Sequence, residues 1–258
     1  MAELAAWGRL FHSAPPQDRP AIVARVSGWA KEGDFASLRD KAALAKLPAD
    51  EQKAFARLWA EVGDADTFLA LQTGAPPLLK TAAVQAWLGQ HDALAATRDR
   101  ALRFARDTKD PTTAERAAKI CCLSPADDRT NEAALVLARR AVELGKGHMY
   151  LAYFQMGLGM AEYRCGHYAA ADAALLAAAK LGSGNACVSG TTPFYQVMSL
   201  FRQGREAEAR KRMAEAVGKV KPPPANEKAI RVESASADDL ILWMAYKEAG
   251  ALLDSARE

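Results

Sequence analysis

The chain has 258 residues, half of them hydrophobic and a quarter charged, with a formal net charge of +3. So small a surplus of positive charge argues against a surface built to track nucleic acid, and the composition is that of a soluble, core-forming chain. Alanine is abundant while Val, Ile and Thr are sparse, which favours helix, because Ala loses no side-chain entropy on entering one.

In chain order, residues 2–12 read as a short apolar helix stopped by Ser13-Ala14-Pro15-Pro16. Residues 19–31 restart it, with Asp18 as N-cap, Pro20 in the first turn, and Ile22, Val23, Val26 and Trp29 on one stripe. Two further helices, 37–47 and 49–62, are separated by Pro48, and the second carries Phe55, Leu58, Trp59 and Val62 at helical spacing. Thr73-Gly74-Ala75-Pro76-Pro77 is the best internal boundary, since paired prolines cannot sit inside a helix. The expected organisation is an irregular helical segment over 1–75 and a helical repeat domain over 76–258. Residues 1–16 include Glu3 and Arg9 and lack a sustained apolar run, so they read as neither a leader nor a membrane span. Cys121, Cys122, Cys165 and Cys187 read as free thiols, which implies the cytoplasm.

Self-similarity organises the second part. Gly166 is followed by Tyr168, Ala171, Leu175 and Ala178, and Gly204 by Glu206, Ala209, Met213 and Ala216 at the same offsets. The turn region at 126–129 is followed by Ala133, Ala134, Val136 and Ala141, and Gly89 by Ala93, Leu94 and Ala101. Each unit reads as two helices joined by a tight turn, about four units in all, with Gly159 and Ala171 as close-crossing positions. A final helix near 236–255 is expected to cap the series, with Leu240, Trp243, Met244 and Tyr246 wrapping the last unit.

With Leu158-Gly159 on the first helix of its unit and a glycine at the turn, residues 77–218 resemble the tetratricopeptide repeat (TPR) family. Spacings of 37 to 40 residues between units imply longer turns than that family uses, and Glu162 stands where it prefers Tyr. The resemblance implies an all-α fold, an α-solenoid of helical hairpins in which each hairpin buries its apolar face against its neighbours. Residues 92–125, DALAATRDRALRFARDTKDPTTAERAAKICCLSP, are similar to the segment preceding the repeats in bacterial eukaryotic-like serine/threonine protein kinases with TPR tails. Residues 42–62 and 161–175 share that likeness. It implies a non-catalytic tail, whether free-standing or part of a longer kinase. The sequence carries no Gly-rich loop on a strand, no His-Arg-Asp loop and no Asp-Phe-Gly.

No catalytic constellation is legible, and the chain is expected to be no enzyme and to need no cofactor or metal. Gly182-Ser183-Gly184-Asn185 lacks the Gly-Lys-Ser/Thr of a phosphate loop and reads as an inter-repeat turn, and Ser189-Gly190-Thr191 reads as a loop. His12, His91, His148 and His167 stand apart without metal-ligand spacing. Arg98, Arg100, Arg103 and Arg106 alternate with Asp99 and Asp107, as solvated ion-pairing faces do.

The resemblance places a partner groove on the first helix of each repeat. Projected onto this chain, it is lined by Tyr153, Met156, Met160 and Arg164 in the third unit and by Phe194, Tyr195, Met198 and Arg202 in the fourth. The second unit offers Arg116, Lys119, Leu123 and Asp127 there. Aromatic, Met and Arg side chains suit an extended or helical peptide. The plainer account is that the aromatics pack between helices, and it is favoured for Tyr163 and Phe201. If the groove is open, Met156→Ala with Tyr195→Ala should weaken a partner and leave the melting temperature nearly unchanged. The expected function is a non-catalytic protein–protein interaction scaffold in bacterial signalling, the alternative a regulatory tail fragment of a serine/threonine kinase.

Overall fold

The computed structural model describes residues 48, 51, 77–220 and 235–255. The chain divides at Ala75/Pro76 into two units, and the helices described here belong to the second. The helices expected over residues 2–62 lie outside the described residues, apart from Glu51, which is helical.

Every element among the described residues is helical: α1 (Pro77–Trp87), α2 (His91–Ala105), α3 (Pro111–Cys122), α4 (Asp128–Leu144), α5 (Leu151–Arg164), α6 (Tyr168–Leu181), α7 (Ala186–Arg202), α8 (Glu206–Val217) and α9 (Ala237–Asp254). Local chemistry sets the starts. Asp110 caps α3 by accepting from the amides of Thr112 and Thr113, with Pro111 in the first turn where its missing N–H costs nothing. Asp127 caps α4, accepting from Thr130 N at 2.9 Å, and Asn185 caps α7, accepting from Val188 N at 3.1 Å. Ser236 and Asp239 form a reciprocal capping box on α9.

Hairpin turns are set by glycine. Gly89, Gly166 and Gly204 have φ of +66°, +78° and +76°, a region that other L-residues enter at a steric cost. The α3–α4 turn lacks such a glycine. Its tight register comes from the Asp127 cap instead, so Arg129, expected in the turn, is already inside α4. Ser189-Gly190-Thr191, expected as a loop, is inside α7 as well. The helix runs through Pro193 because the Asn185 cap starts it upstream. The carbonyl left without a partner by the proline is that of Ser189, an exposed residue.

Each even-numbered helix from α2 to α6 packs on the odd-numbered helix before it and on the one after it. The odd-numbered helices also pack in series, α1 on α3, α3 on α5, α5 on α7. Alanines at 0% exposure fill the crossings, among them Ala101, Ala117, Ala141, Ala171 and Ala209. The closest is α5 on α6. A Cβ on Gly159 would lie 2.5 Å from Leu175 Cγ and 3.3 Å from the Ala171 carbonyl. The final helix departs from the expected cap. It packs on α7 and also reaches α1, joining the last hairpin to the first. Within α9 only Lys247, Ala251 and Asp254 are exposed, the pattern of a helix seated among others rather than laid on a surface.

Candidate functional site

Helices α3, α5 and α7 meet at the C-terminal end of α3. The last carbonyls of a helix have no partner within it and need one from outside. Here Cys122 O accepts from Arg164 Nε at 3.0 Å and from the Tyr195 hydroxyl at 3.1 Å. Arg164 is thereby aimed across the row, and its two terminal nitrogens fork onto the Glu248 carboxylate of α9, Nη2 to Oε2 at 2.7 Å and Nη1 to Oε1. Its side chain is 5% exposed and that of Glu248 28%. Burial alone would lower the pKa of Arg164. The Glu248 carboxylate bonded to it outweighs that cost and holds the guanidinium more firmly charged than usual. Burial drives the Tyr195 phenol upward in turn, so at neutral pH it is the hydroxyl donor that Cys122 O requires.

Helix α9 is gripped on three sides. Leu242 packs against Gly190, where a Cβ would meet it at 3.4 Å, and Tyr246 stands edge-on to Phe194 with ring centroids 5.4 Å apart. Near its end, Arg210 of α8 donates to Leu253 O at 2.9 Å. Glu248 faces α5. On the third side, Trp243 lies 6.0 Å from Trp87 of α1, and Lys247 stands 4.9 Å above the same ring.

Under the first turns of α9 the face is polar. Lys119 and Glu115 of α3 form an ion pair with side chains 3% and 5% exposed. Gly157 of α5 lies alongside it, and a Cβ there would stand in ordinary contact 3.5 Å from Glu115 Cγ. Burial would lower the pKa of Lys119, but Glu115, Cys187 and Asp238 together raise it. The Asp238 side chain of α9 bonds the Cys187 thiol, which burial pushes up to about 12. Tyr153 lies beneath Lys119, 5.2 Å from its nitrogen, and its hydroxyl accepts from Asn185 Nδ2 at 2.9 Å.

The residues expected to line an open groove are thus distributed differently from that expectation. Met156, Met160, Phe194, Tyr195 and Met198 are buried, between 0 and 2% exposed, and Arg164 is occupied by Glu248. Tyr153 is half-buried and Arg202 is exposed. Tyr163, expected to pack, is buried, and Phe201 is half-buried. The reason is the pinching of α3, α5 and α7 at Cys122 together with the seating of α9. In the second unit Lys119 and Leu123 are buried, and Asp127 is spent on its cap. Arg98, expected on a solvated face, is buried and donates to Ser124 O at 2.6 Å, holding the turn after α3. Glu162, standing where the resemblance prefers Tyr, is buried between Arg139, at 2.8 Å, and His167, at 2.8 Å. The sequence reading missed Glu248, Glu115 and the Trp87–Trp243 clasp. Only the aromatic pair left a signal, as two tryptophans on helices at opposite ends of the repeat domain.

A separate hollow of about 480 Å³ lies between the even-numbered helices α2 and α4, lined by Leu102, Arg103, Arg106, Arg129, Val136 and Leu137 among others. Val136 is 57% exposed there. Among the described residues, no group of three or more His, Cys, Asp or Glu is placed to hold a metal ion, and no helix is long and apolar enough to cross a membrane. The four cysteines are free thiols. Comparison with protein-family models, with curated proteins and with solved structures gives no match to this chain.

Proposed function

We propose that the chain is a non-catalytic protein–protein interaction scaffold of the tetratricopeptide type, whose inner face grips a helical segment. The observation that carries this reading is α9. An inner face that holds one helix by an Arg fork, an aromatic edge contact and apolar contact at Gly190 has the chemistry for helix-in-groove recognition. Four successive hairpins, three of them closed by a glycine turn, and the close crossing at Gly159 support the repeat architecture. The buried charged groups support a non-catalytic role, because Arg164, Glu162 and Lys119 are each engaged in an ion pair that holds helices together. A bacterial signalling setting beside a serine/threonine kinase, or attachment to one as its regulatory tail, rests on the likeness of residues 92–125 and on nothing else. Four free thiols suit a reducing, cytoplasmic setting.

The test is reconstitution. Proteins captured on the chain are purified singly and mixed with it, and complex formation is followed by calorimetry and gel filtration. The reading predicts at least one partner that binds directly and saturably through a helical segment. A chain that binds none of them once they are purified contradicts it.

A further inference from the structure

The connection to α9 sets that helix apart. The other described helices are joined by three to six residues, whereas nineteen, 218–236, separate α8 from α9. They include Pro222-Pro223-Pro224. The seating of α9 on the other described helices is made by the contacts of its own side chains. The face beneath it has the character of a surface. Asp238 in the first turn of α9 bonds Cys187 and acts electrostatically on Lys119 of the buried Lys119–Glu115 pair, and Thr191, beside the glycine that Leu242 touches, is fully buried with a hydroxyl that makes no hydrogen bond. A permanently covered face gains little from a buried ion pair, which is neutral or unfavourable against apolar residues of the same volume, and it loses by enclosing an unpaired hydroxyl. Both features suit a face that is at times wet.

We propose that α9 is an exchangeable ligand of the inner face, and that an amphipathic helix of another protein takes its place. This deepens the scaffold reading above and rests on it. The recognised pattern is the one α9 presents, Leu242-Trp243, then Tyr246, then Glu248. The Leu and Tyr one turn apart face Gly190 and Phe194, the Trp faces Trp87, and the carboxylate answers Arg164. The partner is therefore an acidic, aromatic-bearing helix. Arg164 selects it, since a buried guanidinium left without a carboxylate is strongly unfavourable.

The exchange is tested with a fluorescently labelled peptide of residues 235–255 added to the full chain and followed by anisotropy. In Glu248→Ala protein the resident helix is weakened, and the peptide supplies the missing carboxylate in trans. The peptide should bind this variant at least about tenfold more tightly than wild type, because the tethered α9 no longer outcompetes it. Trp243→Ala protein, which loosens α9 without stranding Arg164, should also gain affinity for the peptide. A peptide carrying Glu248→Arg should bind both variants at least about tenfold more weakly. Circular dichroism confirms that each variant keeps its helices. Absence of binding to both variants, or binding indifferent to the Glu248→Arg reversal, overturns the exchange. The scaffold reading survives that failure if a purified protein still binds the wild-type chain, so the two are separable.

Discussion

Arg164→Met should lower the stability of the repeat domain by about 3 kcal/mol, a fall of roughly 6–12 °C in melting temperature for a domain of this size. The side chain is 5% exposed and serves three helices at once, donating to Cys122 O on α3, forking onto Glu248 on α9 and lying against Tyr195 on α7. Its loss leaves a carboxylate only 28% exposed without a counter-charge and removes one of two donors to a helix-end carbonyl. Coupling should be visible in a double-mutant cycle. The Arg164→Met/Glu248→Ala protein should be more stable than the two single losses added together, by about 1–3 kcal/mol. Purely additive losses, measured by thermal and denaturant unfolding, would show that the fork contributes nothing.

The second large effect reverses what the sequence suggests. Met156→Ala together with Tyr195→Ala should cost at least about 5 kcal/mol, enough to bring the domain near to unfolding at room temperature. Both side chains are buried at 0 and 2% exposure. Truncating Met removes packed volume, and truncating Tyr removes a ring set edge-on to Tyr163 at 5.7 Å as well as a hydroxyl donor to Cys122 O. An unchanged unfolding midpoint in denaturant would mean that these residues face solvent in solution.

The helical character and the hairpin turns were legible because they are local. Alanine content and the glycines at 89, 166 and 204 each act within one turn of chain. Gly159 and Ala171 were also readable, since two small residues facing each other at a crossing leave a periodic trace. The groove was not readable. Met156 and Tyr195 have the same sequence signature whether they face a partner or a neighbouring helix, and periodicity alone does not separate the two cases. What decides it is Glu248, which comes 84 positions after Arg164 and finds it only once α9 has seated. Nothing local marks Glu248 among the other acidic residues of the chain. The Lys119–Glu115 pair shows the same limit: an i, i+4 pair is ordinarily read as a solvated helix face, and here it lies in the interior.

Hydrogen exchange of α9 tests the central claim most directly, namely that the inner face is a helix-binding surface occupied by the chain's own last helix. Amides of residues 237–254 should be protected relative to the free peptide of the same sequence. They should nonetheless exchange through a local opening of lower free energy than that of α5 and α7, and Arg164→Met should hasten α9 by more than it hastens α6. Exchange of α9 in step with α5 and α7, only through global unfolding, would make it a fixed core helix and contradict the account.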